Sequence, residues 1–391
     1  MSAMKDDPPL ARTSTSIQTA LLRSILLGSL AIAVLNFLLP IYSKQLGASA
    51  TEIGGLFSVF FMVTMLARPV VGWGLDRLGR KPFLVVALLV YALSLALFAF
   101  ANDLPLLYAA RLVQGLGSSL LWIPAYTIAT ELSETSRGRA VGLVDASSAQ
   151  GGMIGALVGL ALFFSVSLGT GWKLLFAAYS LAALSAALLA FRTIPETRPS
   201  AQLSTDGQVI AVGPLLRLML IVFTTGASTA MVSPLVLVFL QDRFTMDLRY
   251  LAMAYIPAGL AYSFLPPGFG RLSDRFDRPR MIAVGLTSAA VVSLLIPIAP
   301  GILWLAVLWV LEAAGFSLAS PAQEALVADL TGSQVRGQGY GFYTFASSMG
   351  ATLGPLLGGW LYDAAGHAFP FYVNGFILLF SAAWVLIWLK R

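Results

Sequence analysis

Twelve long apolar runs follow one another along the chain, separated by short polar turns. They cover about residues 21–42, 50–72, 83–101, 105–129, 138–165 and 172–192, then 215–240, 249–270, 279–299, 302–327, 337–362 and 368–389. Each supplies the ~20 apolar residues that a helix needs to cross ~30 Å of hydrocarbon, so the pattern predicts twelve spans. The turns are rich in Gly, Pro and Asp, as at Asn102-Asp103-Leu104-Pro105 and Ala299-Pro300-Gly301, which makes consecutive spans antiparallel neighbours. One connection is long and polar: Thr193 to Pro214, at the midpoint. The expected organisation is a polar tail (1–16), a six-helix bundle (17–192), a linker (193–214) and a second six-helix bundle (215–391). The tail lacks the basic start and compact apolar stretch of a cleaved signal peptide.

Two of the polar turns are copies of each other. Gly72-Trp-Gly-Leu-Asp-Arg-Leu-Gly-Arg-Lys-Pro82 follows the second run, and Gly270-Arg-Leu-Ser-Asp-Arg-Phe-Asp-Arg-Pro-Arg280 follows the eighth. Gly72 aligns with Gly270, Asp76 with Asp274, Arg77 with Arg275 and Arg80 with Arg278, each pair 198 residues apart in a chain of 391. A constant offset near half the length is the mark of a duplication, so the fold class expected is all-α integral membrane, twelve transmembrane helices as two pseudo-symmetric bundles. Asp76 and Asp274 close helices at their C-terminal ends, where the helix dipole disfavours an anion. A partner from another helix is therefore expected, although loop cations could merely hold the loop inside.

Composition changes the picture only by naming the solvent. Hydrophobic residues make up 58% and charged ones 11%, against ~25% charged in soluble domains, so the surroundings are lipid. With no cysteine and one histidine, His367, neither disulfides nor a thiolate or histidine metal site is expected. The net charge of +6 is explained by topology. With the N-terminus in the cytoplasm, 18 of the 24 basic residues fall on the cytoplasmic side, Lys44, Lys173, Arg243 and Arg249 outside, and Arg68 and Arg111 within spans. That split predicts a multi-pass protein of the cell inner membrane with both termini cytoplasmic. It calls for anionic lipid as a neighbour rather than nucleic acid.

Ionisable groups inside a span are costly and usually functional. Arg111 lies about two turns from the outer end of span 4, Glu312 near the middle of span 10, and Asp145 about two turns into span 5. Helical spacing puts Arg111, Gly115, Ser118 and Trp122 on one face, and Glu312, Phe316, Ala319 and Gln323 on another. The plainer readings are an arginine satisfied by backbone carbonyls, a static ion pair at Glu312, and aromatic residues that only pack.

The six-plus-six pattern, the midpoint linker and the GxxxDRxGRK loop after span 2 together resemble the major facilitator superfamily. Leu107-Tyr-Ala-Ala-Arg111-Leu-Val-Gln114-Gly115-Leu-Gly117 is similar to that family's LxxxRxxQGxG. Gly350-Ala-Thr-Leu-Gly354-Pro355-Leu-Leu-Gly358-Gly359 resembles the GxxxGPxxGG of its exporters. That pattern belongs on span 5, where Gly151, Gly155 and Gly159 keep the ladder but Ala156 stands in place of the proline. The resemblance implies two cytoplasmic latches: Gly72, Asp76, Arg77, Gly79, Arg80, Lys81, Glu131 and Arg137 in one half, Asp274, Arg275, Arg278, Asp329 and Arg336 in the other. It implies proton coupling through Glu312, Arg111 and Asp145. It also implies a cavity between spans 1, 4, 7 and 10, lined by Asn36, Gln114, Ser118, Trp122, Thr225, Thr229, Phe316 and Gln323. The glycines of spans 5 and 11 read either as a sliding interface or as static packing. No GxxxxGK[ST] phosphate loop occurs, so ATP is not the expected energy source, no cofactor is implied and no enzyme is expected. The function implied is a monomeric secondary transporter exporting small amphipathic or hydrophobic compounds against protons. Proton-coupled uptake of a small polar solute and lipid flipping are the alternatives.

Overall fold

In the computed structural model, which describes residues 9–132, 137–196, 212–244, 247–265, 276–331 and 336–388, the apolar runs are helices and no strand occurs among these residues. The helices are α1 (Pro9–Gly28), α2 (Ala31–Gln45), α3 (Ala50–Leu78), α4 (Arg80–Phe100), α5 (Leu104–Glu131), α6 (Arg137–Phe163), α7 (Leu168–Thr193), α8 (Val212–Val232), α9 (Leu235–Arg243), α10 (Leu248–Phe264), α11 (Arg278–Leu295), α12 (Ile302–Thr331), α13 (Arg336–Ala365) and α14 (Phe369–Trp388). There are more helices than expected spans because spans 1 and 7, equivalent in the duplication, are each broken in two. The first break follows Gly28, and the second comes just before α9, whose N-cap is Pro234, a residue with no amide hydrogen to continue the ladder.

Ten spans among the described residues are long and apolar enough to cross a membrane. The other two expected spans correspond to α10, of which 17 residues are described, and α13, diluted by glycine and serine. The turn at Asn102–Pro105 behaves as read: Asp103 caps α5 by accepting from the Leu106 amide at 2.9 Å, with Pro105 in the first turn. Large apolar side chains point outward, among them Val70 (69% exposed), Phe100 (72%) and Leu303 (70%), as lipid-facing surfaces require.

The chain divides into two compact units, one of Met1–Leu39 and Val63–Gln202, the other of Pro40–Met62 and Leu203–Arg391. Within the first, α4 packs on α5 and α7, and α1 on α6 and α7. Within the second, α11 packs on α12 and α14, and α8 on α13. Their cores correspond at the sequence offset. Leu84, Leu88, Leu121, Ile128 and Ala187 of one have their counterparts at Ile282, Leu286, Ala319, Leu326 and Val385 of the other, all buried. Polar side chains tie the helices where lipid offers no hydrophobic drive. Trp172 Nε1 donates to the Phe98 carbonyl at 2.6 Å and Ser94 Oγ to the Ala110 carbonyl at 2.9 Å. In the second unit, Asn374 Nδ2 donates to Ser293 Oγ at 2.9 Å.

Candidate functional site

At one end of the first unit, the loop between α3 and α4 is held by carboxylates from two directions. Gly79 has φ +92°, a conformation that disfavours side chains, and a Cβ there would sit 2.1 Å from Glu196 Oε1. Arg80 donates its backbone N–H to that oxygen at 2.7 Å, while its Nη2 pairs with Glu131 Oε1 of α5 at 3.0 Å. The Arg80 side chain is buried, so the ion pair is partly shielded from water. Arg77 and Lys81 do something different: Arg77 lies over the Trp73 ring at 4.1 Å and Lys81 over Phe191 at 5.3 Å, each keeping its stem against apolar surface. Gly72 and Asp76 are in α3, Arg137 opens α6, Asp329 is near the end of α12 and Arg336 opens α13, but the side chains of Asp76, Arg137, Asp329 and Arg336 are not among those described. Asp274 and Arg275 lie outside them altogether. Arg278 opens α11, whose N-cap is Asp277.

Deeper in the first unit, Arg111 is buried on α5 and donates from Nη1 to Gln114 Oε1 at 2.7 Å. Tyr91 faces the same guanidinium and shares a hydrogen bond with Ser118, which is also buried. One helical turn on, Trp122 stacks on Tyr126 with centroids 5.9 Å apart, and the Tyr126 hydroxyl donates to Asp145 Oδ1 at 2.6 Å. Arg68 of α3 is close enough to Tyr126 to interact electrostatically. The predicted residues on α5 thus form one continuous polar and aromatic column that reaches Asp145 on α6. Asn36 is exposed on α2.

In the second unit, Glu312 is 3% exposed, midway along the apolar stretch Ile302–Ser320. It makes no hydrogen bond or ion pair with another described residue. Gln323 is buried on the same helix, and Phe316 is half-buried between them. Thr225 and Thr229 of α8 spend their hydroxyl hydrogens on their own helix, donating to the Ile221 carbonyl at 2.7 Å and the Thr225 carbonyl at 2.8 Å. They can still accept a hydrogen bond, but they have no free hydrogen to give.

The two glycine ladders pack inside their own units. A Cβ on Gly151 would lie 2.2 Å from the Leu26 carbonyl oxygen, and one on Gly155 would lie 1.9 Å from that of Leu30, so α6 meets the first span backbone to backbone. Gly159 is looser, at 3.2 Å from Leu175. On α13, Gly350, Gly354 and Gly358 press on α8, at 2.6 Å from Ala227 N, 2.2 Å from its carbonyl oxygen and 2.1 Å from the Met231 carbonyl oxygen. Pro355 points its carbonyl at Gly54 of α3.

Three groups escape a sequence reading. Glu196 belongs to a stretch that reads as linker, the bond from Tyr126 to Asp145 joins an aromatic candidate for substrate stacking to an acid on another helix, and Lys44, Asp242, Tyr362 and Asp363 gather in the second unit. For the last a signal was present: positions 44 and 242 are 198 residues apart, equivalent in the duplication and opposite in charge.

Comparison with known proteins gives the lineage. The sequence profile of the Major Facilitator Superfamily matches residues 21–220 and again 218–391. Multidrug resistance protein 2 of Bacillus subtilis (strain 168) is 25% identical, over 95% of this chain and 94% of its own. The class E tetracycline resistance protein of Escherichia coli is 26% identical over 87% of this chain and 86% of its own. Among solved structures, a bacterial homolog of the human lysosomal transporter Spinster, inward-facing and occupied, superposes with a TM-score of 0.77 at 16% identity, covering 98% of this chain and 97% of that one. The human organic anion transporter MFSD10 (TETRAN) does so with a TM-score of 0.68 at 20% identity, over 97% and 100%.

Proposed function

We propose, starting from the fact that the chain belongs to the Major Facilitator Superfamily, that this multi-span membrane transporter exports small amphipathic or hydrophobic compounds in exchange for protons, by alternating access. Transport itself accords with the kinship to multidrug and tetracycline resistance proteins; the direction, the proton and the substrate class are the proposal. The cell inner membrane, with both termini in the cytoplasm, is the site that the basic residues support.

The observation that carries the proposal is Glu312. A carboxyl group buried in the middle of a span, with no partner among the described residues, is unstable as an anion and stable once it holds a proton. Such a group can take a proton from one side and yield it when water or a cation reaches it. The positive partner assigned to Glu312 is a cationic substrate; Arg111 for its part donates from Nη1 to Gln114. Asp145, held by Tyr126, is the second candidate for proton handling.

Proteoliposomes with an imposed pH gradient test this directly. Wild-type protein is expected to concentrate a lipophilic cation on the acidic side, and the Glu312→Gln variant to equilibrate the same cation without concentrating it. Full pH-driven concentration by Glu312→Gln would remove Glu312 from the mechanism.

A further inference from the structure

The amino end of α3 carries its own cap and then a second one from far away. Ser49 Oγ accepts from the Glu52 N–H at 3.2 Å and Glu52 Oε2 accepts from the Ser49 N–H at 2.9 Å, the reciprocal pair of a capping box. The box leaves the first amides of the helix without an intrahelical partner. Asp363, near the end of α13, takes them: Oδ1 accepts from Ala50 N–H at 3.2 Å, and Oδ2 from Thr51 N–H at 2.8 Å and Thr51 Oγ1 at 2.6 Å. Beside it, Tyr362 donates to Asp242 Oδ2 at 2.8 Å, and the other oxygen of Asp242 pairs with Lys44 at the end of α2. All of these residues belong to the second unit, although α2 and α3 begin or end in the first.

We propose that Asp363, with Lys44 and Asp242 beside it, is a releasable outer latch of the transport cycle, gripping the start of α3 and the end of α2. This rests on the alternating-access reading above, in which outer helix ends part and rejoin. Three features suit it to repeated opening. The capping box stays intact on release, so the helix does not depend on Asp363 to keep its first turn. The freed amides open to water at a membrane surface rather than to hydrocarbon. The contact below the latch is smooth. A Cβ on Gly54 would be 2.0 Å from the Pro355 carbonyl oxygen and one on Gly359 2.2 Å from that of Ala50, so backbone meets backbone at both glycines. The grip has no duplicate among the equivalent positions. Asp363 corresponds to Ser165 and Thr51 to Arg249, and α10 is instead capped by its own Asp247, which accepts from the Arg249 N–H at 2.9 Å.

The natural chain has no cysteine, so one introduced thiol reports without background. Ser58→Cys lies in the contact, where Ser58 Oγ accepts from Leu356 N–H at 3.1 Å and the residue is 7% exposed. Its reaction with a membrane-impermeant maleimide added from outside is expected to quicken about tenfold when Asp363→Ala is added. Lys44→Asp should also quicken it, and combining Lys44→Asp with Asp242→Lys should slow it again, a rescue that a misfolded protein would not give. Unchanged labelling in both backgrounds would overturn the latch. Because labelling needs no substrate, that result leaves the transport reading standing, whereas absence of pH-driven flux in the wild type would sink the transport reading instead.

Discussion

Glu312 and Arg111 occupy equivalent spans, and sequence alone marks both because a charge interrupts an otherwise apolar run. What the sequence could not supply is their partners, since these come from folding distant residues together. Arg111 has Gln114 one turn along its own helix, a pairing within reach of an i, i+3 reading, and Tyr91 from another helix, which was not. Arg80 illustrates the same limit: the loop motif marks it, but Glu196 as acceptor of its amide depends on where the chain goes after α7. Replacing Glu196 with Ala is expected to cost roughly 1.5–3 kcal/mol, the scale of a hydrogen bond to a charged group. A fall in the thermal midpoint of the purified protein checks this, and an unchanged midpoint would mean that water replaces the carboxylate without loss. Glu312→Gln, by contrast, is expected to leave the midpoint unchanged or raised, because it removes a buried group that prefers to be neutral.

At the scale of helices, the twelve apolar runs were legible because hydrocarbon thickness fixes their length, and helix ends at Asp103 and Gly79 were legible from cap and turn residues. The breaks in spans 1 and 7 were not. Neither Gly28 nor Pro234 alone distinguishes a break from a kink, and Pro40, Pro69, Pro124, Pro257 and Pro355 all sit inside continuous helices. The glycine ladders were visible as stripes, yet the neighbour each stripe faces was left open. The contact distances now give different expectations for single glycines. Gly155→Ala would place a methyl group 1.9 Å from the carbonyl oxygen of Leu30, a backbone atom in the break between α1 and α2. It should lower yield and thermal midpoint sharply, by the several degrees or more that packing strain of ~1–3 kcal/mol brings. Gly142→Ala, on the same helix, meets nothing within 4 Å and should be neutral or slightly stabilising. Similar behaviour of the two variants would mean that α6 can move away from the first span at little cost.

For the whole molecule, the duplication is readable twice, as a 198-residue offset between motifs and as the same offset between buried cores. Direction of transport is a property at this scale, because it depends on which face meets the cytoplasm and on which way protons run. The proposed orientation has the loop at Asp76 and the linker inside, so a cysteine at Ser204 and another at Gly301 should react with an impermeant maleimide from opposite sides of the membrane. Given that orientation, the sign of the coupling follows. In the proposed antiport, in a cell whose outside is more acidic, a proton enters as substrate leaves. Inverted vesicles turn the outer face inward, so acidifying their lumen should drive substrate into them. One proton exchanged per monovalent cationic substrate is electroneutral, so a gradient of one pH unit supports accumulation of at most about tenfold, or about 1.4 kcal/mol. Accumulation in right-side-out vesicles with an acidic exterior, and none in inverted ones with an acidic lumen, would identify uptake instead. Dissipating the gradient midway should release the accumulated compound, which separates coupled transport from simple partitioning into lipid.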